Sequence, residues 1–421
     1  MIKLPLYFHS ICYGWVPHQE FLKTNFKDFS DGGKFHTMIA RLISDNMLIP
    51  RDGEWSLPWP TTIIPGYEMP TYDKNFNLSF SEITDLTGIK TKKLINEGKN
   101  IVVFYSGGID STVCVTSLLK NLSDKELKSV RLVLSYDSLI ENPMFFEKYI
   151  KDKFTLLDSN TTFYSDIINE SSDTIPITLD QGDSLFGTEF GTKMYSKFYE
   201  LINEMNPEAK SKLKHLYNGI TNEDVHYSKY EDLLVHYFSK SAYKEFSYNQ
   251  TFGRLYYDKI VKNINTSHVP VHSLHDFFWW LIFNIKYMHC AIRSSVYYGT
   301  EDKMKEGIKE RVFNWFGTDD YQKWSMVNNN NGQKLNGLTQ PRYKWAARKY
   351  IYNFDKNSWA LNYKLKIPSL RNLYVKNFKN LKIEKIFGVD SDFKLLTVDN
   401  EEVRDFILKG LKNYKIDWSN K

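Results

Sequence analysis

Between Tyr105 and Thr112 the chain reads Tyr-Ser-Gly-Gly-Ile-Asp-Ser-Thr, directly after the apolar run Asn-Ile-Val-Val-Phe and directly before a helical pattern. A strand that ends in Ser106-Gly107-Gly108 and turns at once into a helix brings several backbone N–H groups and the positive end of the helix dipole to one point, where an anion should sit. Gly107 and Gly108 let the backbone approach phosphate oxygens where any Cβ would obstruct, and Ser106, Ser111 and Thr112 carry hydroxyls that can donate hydrogen bonds. Asp110 is out of place beside a bare anion. It fits if magnesium lies between carboxylate and phosphate, since that ion is commonly held by one or two carboxylates plus phosphate oxygens. The stretch therefore predicts a magnesium nucleotide. The familiar triphosphate loop, Gly, four residues, Gly-Lys and Ser/Thr, does not occur in this chain.

A second acidic pair follows in Thr-Ile-Pro-Ile-Thr-Leu-Asp-Gln-Gly-Asp-Ser-Leu-Phe-Gly, where Asp180 and Asp183 flank Gly182 just past an apolar run. Strand ends of one parallel sheet share an edge, so Asp183 can meet Asp110 across one magnesium site. The elements that must position these residues alternate. From Lys99, strand candidates (NIVVFYS, RLVLSYD, TIPITLD) are interleaved with helical stretches (STVCVTSLLKNL, MFFEKYIKDKF), which predicts an α/β fold with a parallel sheet and helices on both faces. Residues 1–98, rich in Pro, Trp, Tyr and Gly, read as an irregular leading segment, 99–355 as the nucleotide-binding domain with a helical insertion at about 190–266, and 356–421 as a basic segment that completes the site. HDFFWWLIFNIKYMHCAIRSSVYY reads as a buried helix, so the C-terminal half is largely helical. VNNNNGQKLNG reads as a long loop or lid.

The loop resembles that of the ATP pyrophosphatases, the PP-loop superfamily with an adenine nucleotide α-hydrolase-like fold, whose signature is Ser-Gly-Gly-x-Asp-Ser; all of it is present here. The resemblance implies ATP and Mg2+ as cofactors, with the loop gripping pyrophosphate while a substrate attacks the α-phosphate. The second motif is similar to that of the asparagine synthetases. Asp183, Leu185, Phe186 and Gly187 keep the pattern, while Gly182, Ser184 and Thr188 depart from its Ser, Glu and Gly. The resemblance implies that Asp183 serves magnesium and pyrophosphate alongside Asp110, and that Asp180 stands where the family has a glutamate associated with the attacking amine. It also implies a lysine close to the developing charge, for which Lys364 and Lys366 are the candidates, Lys364 preferred, and an adenine flanked by Tyr105 and by Leu134 to Tyr136. Weaker likeness extends through YGWVP, IKYMHCAIRSSVYYG and RVFNWFGTDDYQKWS.

The family's glutaminase domain begins with a nucleophilic cysteine, whereas Ile2 follows Met1 here. The expectation is a ligase that adenylates a small-molecule or peptide carboxylate, aspartate or a related substrate, and takes nitrogen from free ammonia, a separate glutaminase or an amine already on the substrate. Two alternatives stay open: adenylation of a nucleobase, tRNA or deazaguanine precursor, and a catalytically idle nucleotide-binding homologue. Composition sets wide bounds. The 421 residues carry 55 Lys and Arg against 50 Asp and Glu, a net charge of +5 that does not call for nucleic acid or an anionic membrane. Three scattered cysteines support neither a disulfide framework nor a thiolate zinc site and fit a reducing cytoplasm. The apolar stretch Asp276 to Ile285 is too short to span a bilayer.

Overall fold

In the computed structural model, the first buried strand follows a helix half of whose buried residues are threonines. This structure describes residues 51–52, 68–162, 164–187, 225–241, 250–287, 312–328, 333–336, 342–357 and 359–362, together with 370, 387–389 and 395–397. Two compact units divide the chain: one over Asn77–Gly182, Tyr297–Trp324 and Gly332–Lys421, the other over Met1–Phe76, Asp183–Val296 and Ser325–Asn331.

The first unit holds the sheet. Helix α1 (Phe80–Asn96) begins with a capping box, in which Ser79 accepts from the Glu82 N–H and Glu82 reaches back to the Ser79 N–H. Strand β1 (Asn100–Phe104) leads into α2 (Ile109–Asn121), and α3 (Asp124–Ser129) precedes β2 (Arg131–Leu134). Then come α4 (Tyr136–Glu141), β3 (Thr155–Asp158), α5 (Tyr164–Glu170) and β4 (Thr174–Thr178), with β5 (Phe313–Asn314) far downstream. The five strands are all parallel in the order β3-β2-β1-β4-β5, a Rossmann-like arrangement. Parallel strands covered on both faces read as continuous apolar runs, which is why Ile101–Phe104, Leu132–Leu134 and all of β4 are buried.

Direction reverses after β3: the chain steps from β1 outward to β3 and then returns past β2 and β1 to β4. Right-handed crossovers therefore place α5 on the opposite face from α2. On the α5 face, Val102, Phe104 and Val133 pack with Tyr164 and Ile167. Helices α1 and α2 lie so close that a Cβ on Gly88 would stand 2.4 Å from the Ser117 hydroxyl, which donates to the Thr84 carbonyl at 2.6 Å.

Four elements differ from the sequence reading. Phe80–Asn96, expected within an irregular segment, is a 17-residue helix. Strands β3 and β5 carry no periodic signal, because four half-polar residues and two residues are too short to show one. Within the expected loop, Leu335–Asn336 form strand β6, which pairs antiparallel with β7 (Arg342–Tyr343); this hairpin leads into α11 (Trp345–Asp355).

In the second unit, α6 (Gly182–Phe186, its first residue still counted with the sheet unit) is followed by α7 (Glu231–Ser241), α8 (Gln250–Thr266) and α9 (Leu274–Trp280). Wider turns carry α9 on through Leu281–Lys286, and Phe277 to Trp280 are fully buried, the core role expected of this run. The Trp279 indole donates to Ser325 on α10 (Asp319–Val327), whose hydroxyl donates to the Leu185 carbonyl at 2.6 Å. No described helix is long and apolar enough to cross a membrane.

Candidate nucleotide site

The sheet order reverses between β1 and β4, and a doubly wound sheet binds its ligands at the carboxyl ends of such strands. The residues just past β1 and β4 are Tyr105 to Gly108 and Leu179 to Gly182, so the sheet topology juxtaposes the two stretches that the sequence singles out. Gly107 has φ +77°, in the left-handed region that favours glycine, and a Cβ there would meet the Ser138 carbonyl oxygen at 2.1 Å. The turn and the close approach of α4 both require its bare Cα.

Helix α2 starts on Gly108 without a side-chain cap, whereas Ser79, Ser123 and Ser135 cap α1, α3 and α4. The first turn of any α-helix has N–H groups with no intrahelical acceptor. At α2 they lie at the switch point with the dipole's positive end and no capping oxygen.

The hydroxyls are arranged differently from the expectation. Ser111 donates to the Gly108 carbonyl at 3.0 Å and Thr112 to the same oxygen at 2.9 Å, and both residues are buried. Serine and threonine on a first turn readily bond the carbonyl three or four residues back. Their hydroxyls shape the loop instead of facing a ligand. Ser106 is half-buried, 3.2 Å from the Ser111 hydroxyl, and its oxygen accepts from the Gly108 N–H at 3.3 Å.

Asp110, on the first turn of α2, lies against the β4 loop. A Cβ on Gly182 would come within 2.4 Å of the Asp110 carboxyl carbon. The side chain that Gly182 lacks is the space that the carboxylate uses. Gly182 donates to the Leu179 carbonyl at 3.2 Å, which closes a turn with the half-buried Asp180 and the fully buried Gln181 at its centre. Both polar atoms of the Gln181 amide are buried without a hydrogen-bond partner among the described residues. Asp183 is half-buried on the first turn of α6 and is counted with the other unit. Ser184, next to it, is fully buried.

The residue that sequence reasoning missed is Lys344. It directly precedes α11, and its ammonium donates to Asp110 Oδ2. Nothing local marks it in Arg-Tyr-Lys-Trp, because its partner is 234 positions away. Lys364 and Lys366 lie outside the described residues.

The expected adenine contacts separate into two kinds. Tyr105 and Leu134 are fully buried in the sheet, and burial pushes the Tyr105 phenol well above its ordinary range. They can meet a base only through their backbone. Tyr136, at the start of α4 just past β2, is an exposed aromatic on the same edge of the sheet.

One carboxylate beside an uncapped helix start is a donor set suited to a magnesium ion held mostly by phosphate oxygens. Among the described residues no three His, Cys, Asp or Glu side chains come together as a metal cluster. Comparison of the chain with family models, with curated proteins and with solved structures finds no significant match.

Proposed function

We propose that this chain is a PP-loop ligase of the asparagine synthetase kind: it adenylates a carboxylate with ATP, releases pyrophosphate, and transfers ammonia or an amine to give an amide and AMP. The observation that carries this reading is the complete Ser-Gly-Gly-x-Asp-Ser stretch at the switch point of a parallel sheet, with the uncapped start of α2 behind it. The N–H groups of that first turn hold pyrophosphate oxygens, and Gly107 and Gly108 let the backbone close on them. Asp110 would hold a magnesium ion, a role the resemblance extends to Asp183, and that ion when bound would neutralise charge on the phosphates.

Asp180, in the turn after β4, orients the attacking amine and takes a proton from it. A lysine near the α-phosphate, Lys364 or Lys366 by the resemblance, stabilises the charge that grows on the phosphorus or on the tetrahedral carbon. Tyr136 offers its face to the adenine.

The test is a pyrophosphate-release screen with ATP, magnesium and a panel of amino acids and peptides, with and without ammonia. AMP and pyrophosphate must appear together and vanish in Asp110→Asn. Formation of ADP would sink the proposal. Release that needs ammonia marks an external nitrogen source; release without it marks an amine on the substrate.

A further inference from the structure

Lys344 is a buried cation on the very carboxylate assigned to the metal. Its side chain is 3% exposed and that of Asp110 is 19% exposed. Lysine is almost never buried without a countercharge, and an ammonium in dry surroundings acts on its neighbours far more strongly than in water. The position is also costly for the backbone. Lys344 has φ 54° in the left-handed region, where glycine is at ease and a lysine is strained. The turn does not call for lysine, so the ammonium accounts for its presence.

The surrounding chain holds Lys344 firmly. The Trp345 N–H donates to the Lys334 carbonyl at 3.3 Å and the Ala346 N–H to that of Gln333 at 2.8 Å, while Arg348 donates to the Tyr343 carbonyl at 2.7 Å. The pairing of Leu335 with Tyr343 sets Lys334, also buried, opposite Lys344 across the hairpin. Of these two buried lysines just beyond the ladder, Lys344 brings its positive charge to Asp110 at the nucleotide end of the sheet.

A divalent ion placed on the same carboxylate would be repelled by this ammonium at close range. We propose that Lys344 is a tethered cation that occupies Asp110 in the nucleotide-free protein, so that a divalent ion reaches Asp110 only together with a nucleotide whose phosphates draw the ammonium away. This rests on the nucleotide reading above. Lys344 is then a positioning residue that makes metal entry depend on nucleotide and keeps the bare carboxylate from taking up free metal.

The experiment titrates Mn2+ into the full chain and follows it by electron paramagnetic resonance, without ATP and with it. Wild type should take up Mn2+ at this site only when ATP is present. Lys344→Met should bind Mn2+ without nucleotide at least tenfold more tightly than wild type, Lys344→Arg should behave as wild type, and adding Asp110→Asn to Lys344→Met should erase the gain. No gain in Lys344→Met, or a gain that survives Asp110→Asn, overturns the proposal. Should Lys344→Met not fold, wild type alone decides: nucleotide-free Mn2+ binding that Asp110→Asn abolishes overturns it. Calorimetric titration of wild type with MgATP tests the underlying reading separately, because absence of binding there refutes the nucleotide site whatever the Mn2+ titration of Lys344→Met gives.

Discussion

Gly182→Ala adds one methyl group where it should injure the site more than the fold. The glycine is not in the left-handed region, so alanine can adopt its backbone conformation. The new Cβ would lie 2.4 Å from the Asp110 carboxyl carbon and 2.6 and 2.8 Å from its oxygens, whereas ordinary contact begins at 3.4 Å. The difference between 3.4 and 2.4 Å obliges Asp110 to retreat by about 1 Å. Overpacking of this kind costs about 1–3 kcal/mol of stability, which urea denaturation would measure. A displacement of about 1 Å in a positioned catalytic group lowers turnover by roughly 100-fold, which the pyrophosphate-release assay would read. Gly98→Ala is the control, since Gly98 has φ +83° with nothing within 4 Å of a new Cβ. It should lose about 1–2 kcal/mol from backbone strain while keeping its activity. Full activity in Gly182→Ala, or an equal loss in Gly98→Ala, would refute the placement of the site between β1 and β4.

Three further outcomes follow from single residues. Tyr136→Ala should weaken ATP binding by about 1–3 kcal/mol if adenine stacks on that ring, with the denaturation midpoint almost unmoved; unchanged calorimetric affinity would remove Tyr136 from the site. Cys114 is fully buried in α2 and burial pushes its thiol well up, so a thiol reagent at pH 8 should label it only after denaturation. Peptide mass spectrometry that finds Cys114 modified equally fast in native protein would contradict its packing. Hydrogen bonds from Arg131 hold the Glu170 carboxyl below its usual range. A depressed folded value stabilises above the unfolded value of about 4.3 and is lost as pH falls through the folded one. Stability should therefore decline below about pH 4, with a shallower decline in Glu170→Gln; an identical acid limb in that variant would count against the pairing.

Helix α1 shows what a hydropathy pattern can hide. Its buried residues, Phe80, Ile83, Thr84, Thr87, Gly88 and Thr91, recur at helical spacing, yet half of them are threonines, while Leu86 and Ile89 are exposed. The threonines tolerate burial because each bonds the carbonyl four residues back, at 2.6, 2.7 and 3.0 Å. The period was present in the sequence, but the residue types masked it. Strand β5 is two residues long and is a strand only because β4 lies beside it.

What the sequence determined by itself is local. Ser-Gly-Gly followed by a helix start needs only backbone geometry and the helix dipole to mark an anion site, and the apolar runs of β1, β2 and β4 need only burial on both faces to mark a parallel sheet. Tertiary structure decided what each of those residues faces. It turned Ser111 and Thr112 onto the loop's own carbonyls, placed Tyr105 in the core, laid Gly182 against the Asp110 carboxylate, and brought Lys344 to it across 234 positions. The physical reason is one of range. Backbone conformation follows from neighbours along the chain, whereas the partner of a buried charge is set by whichever elements the sheet order brings together.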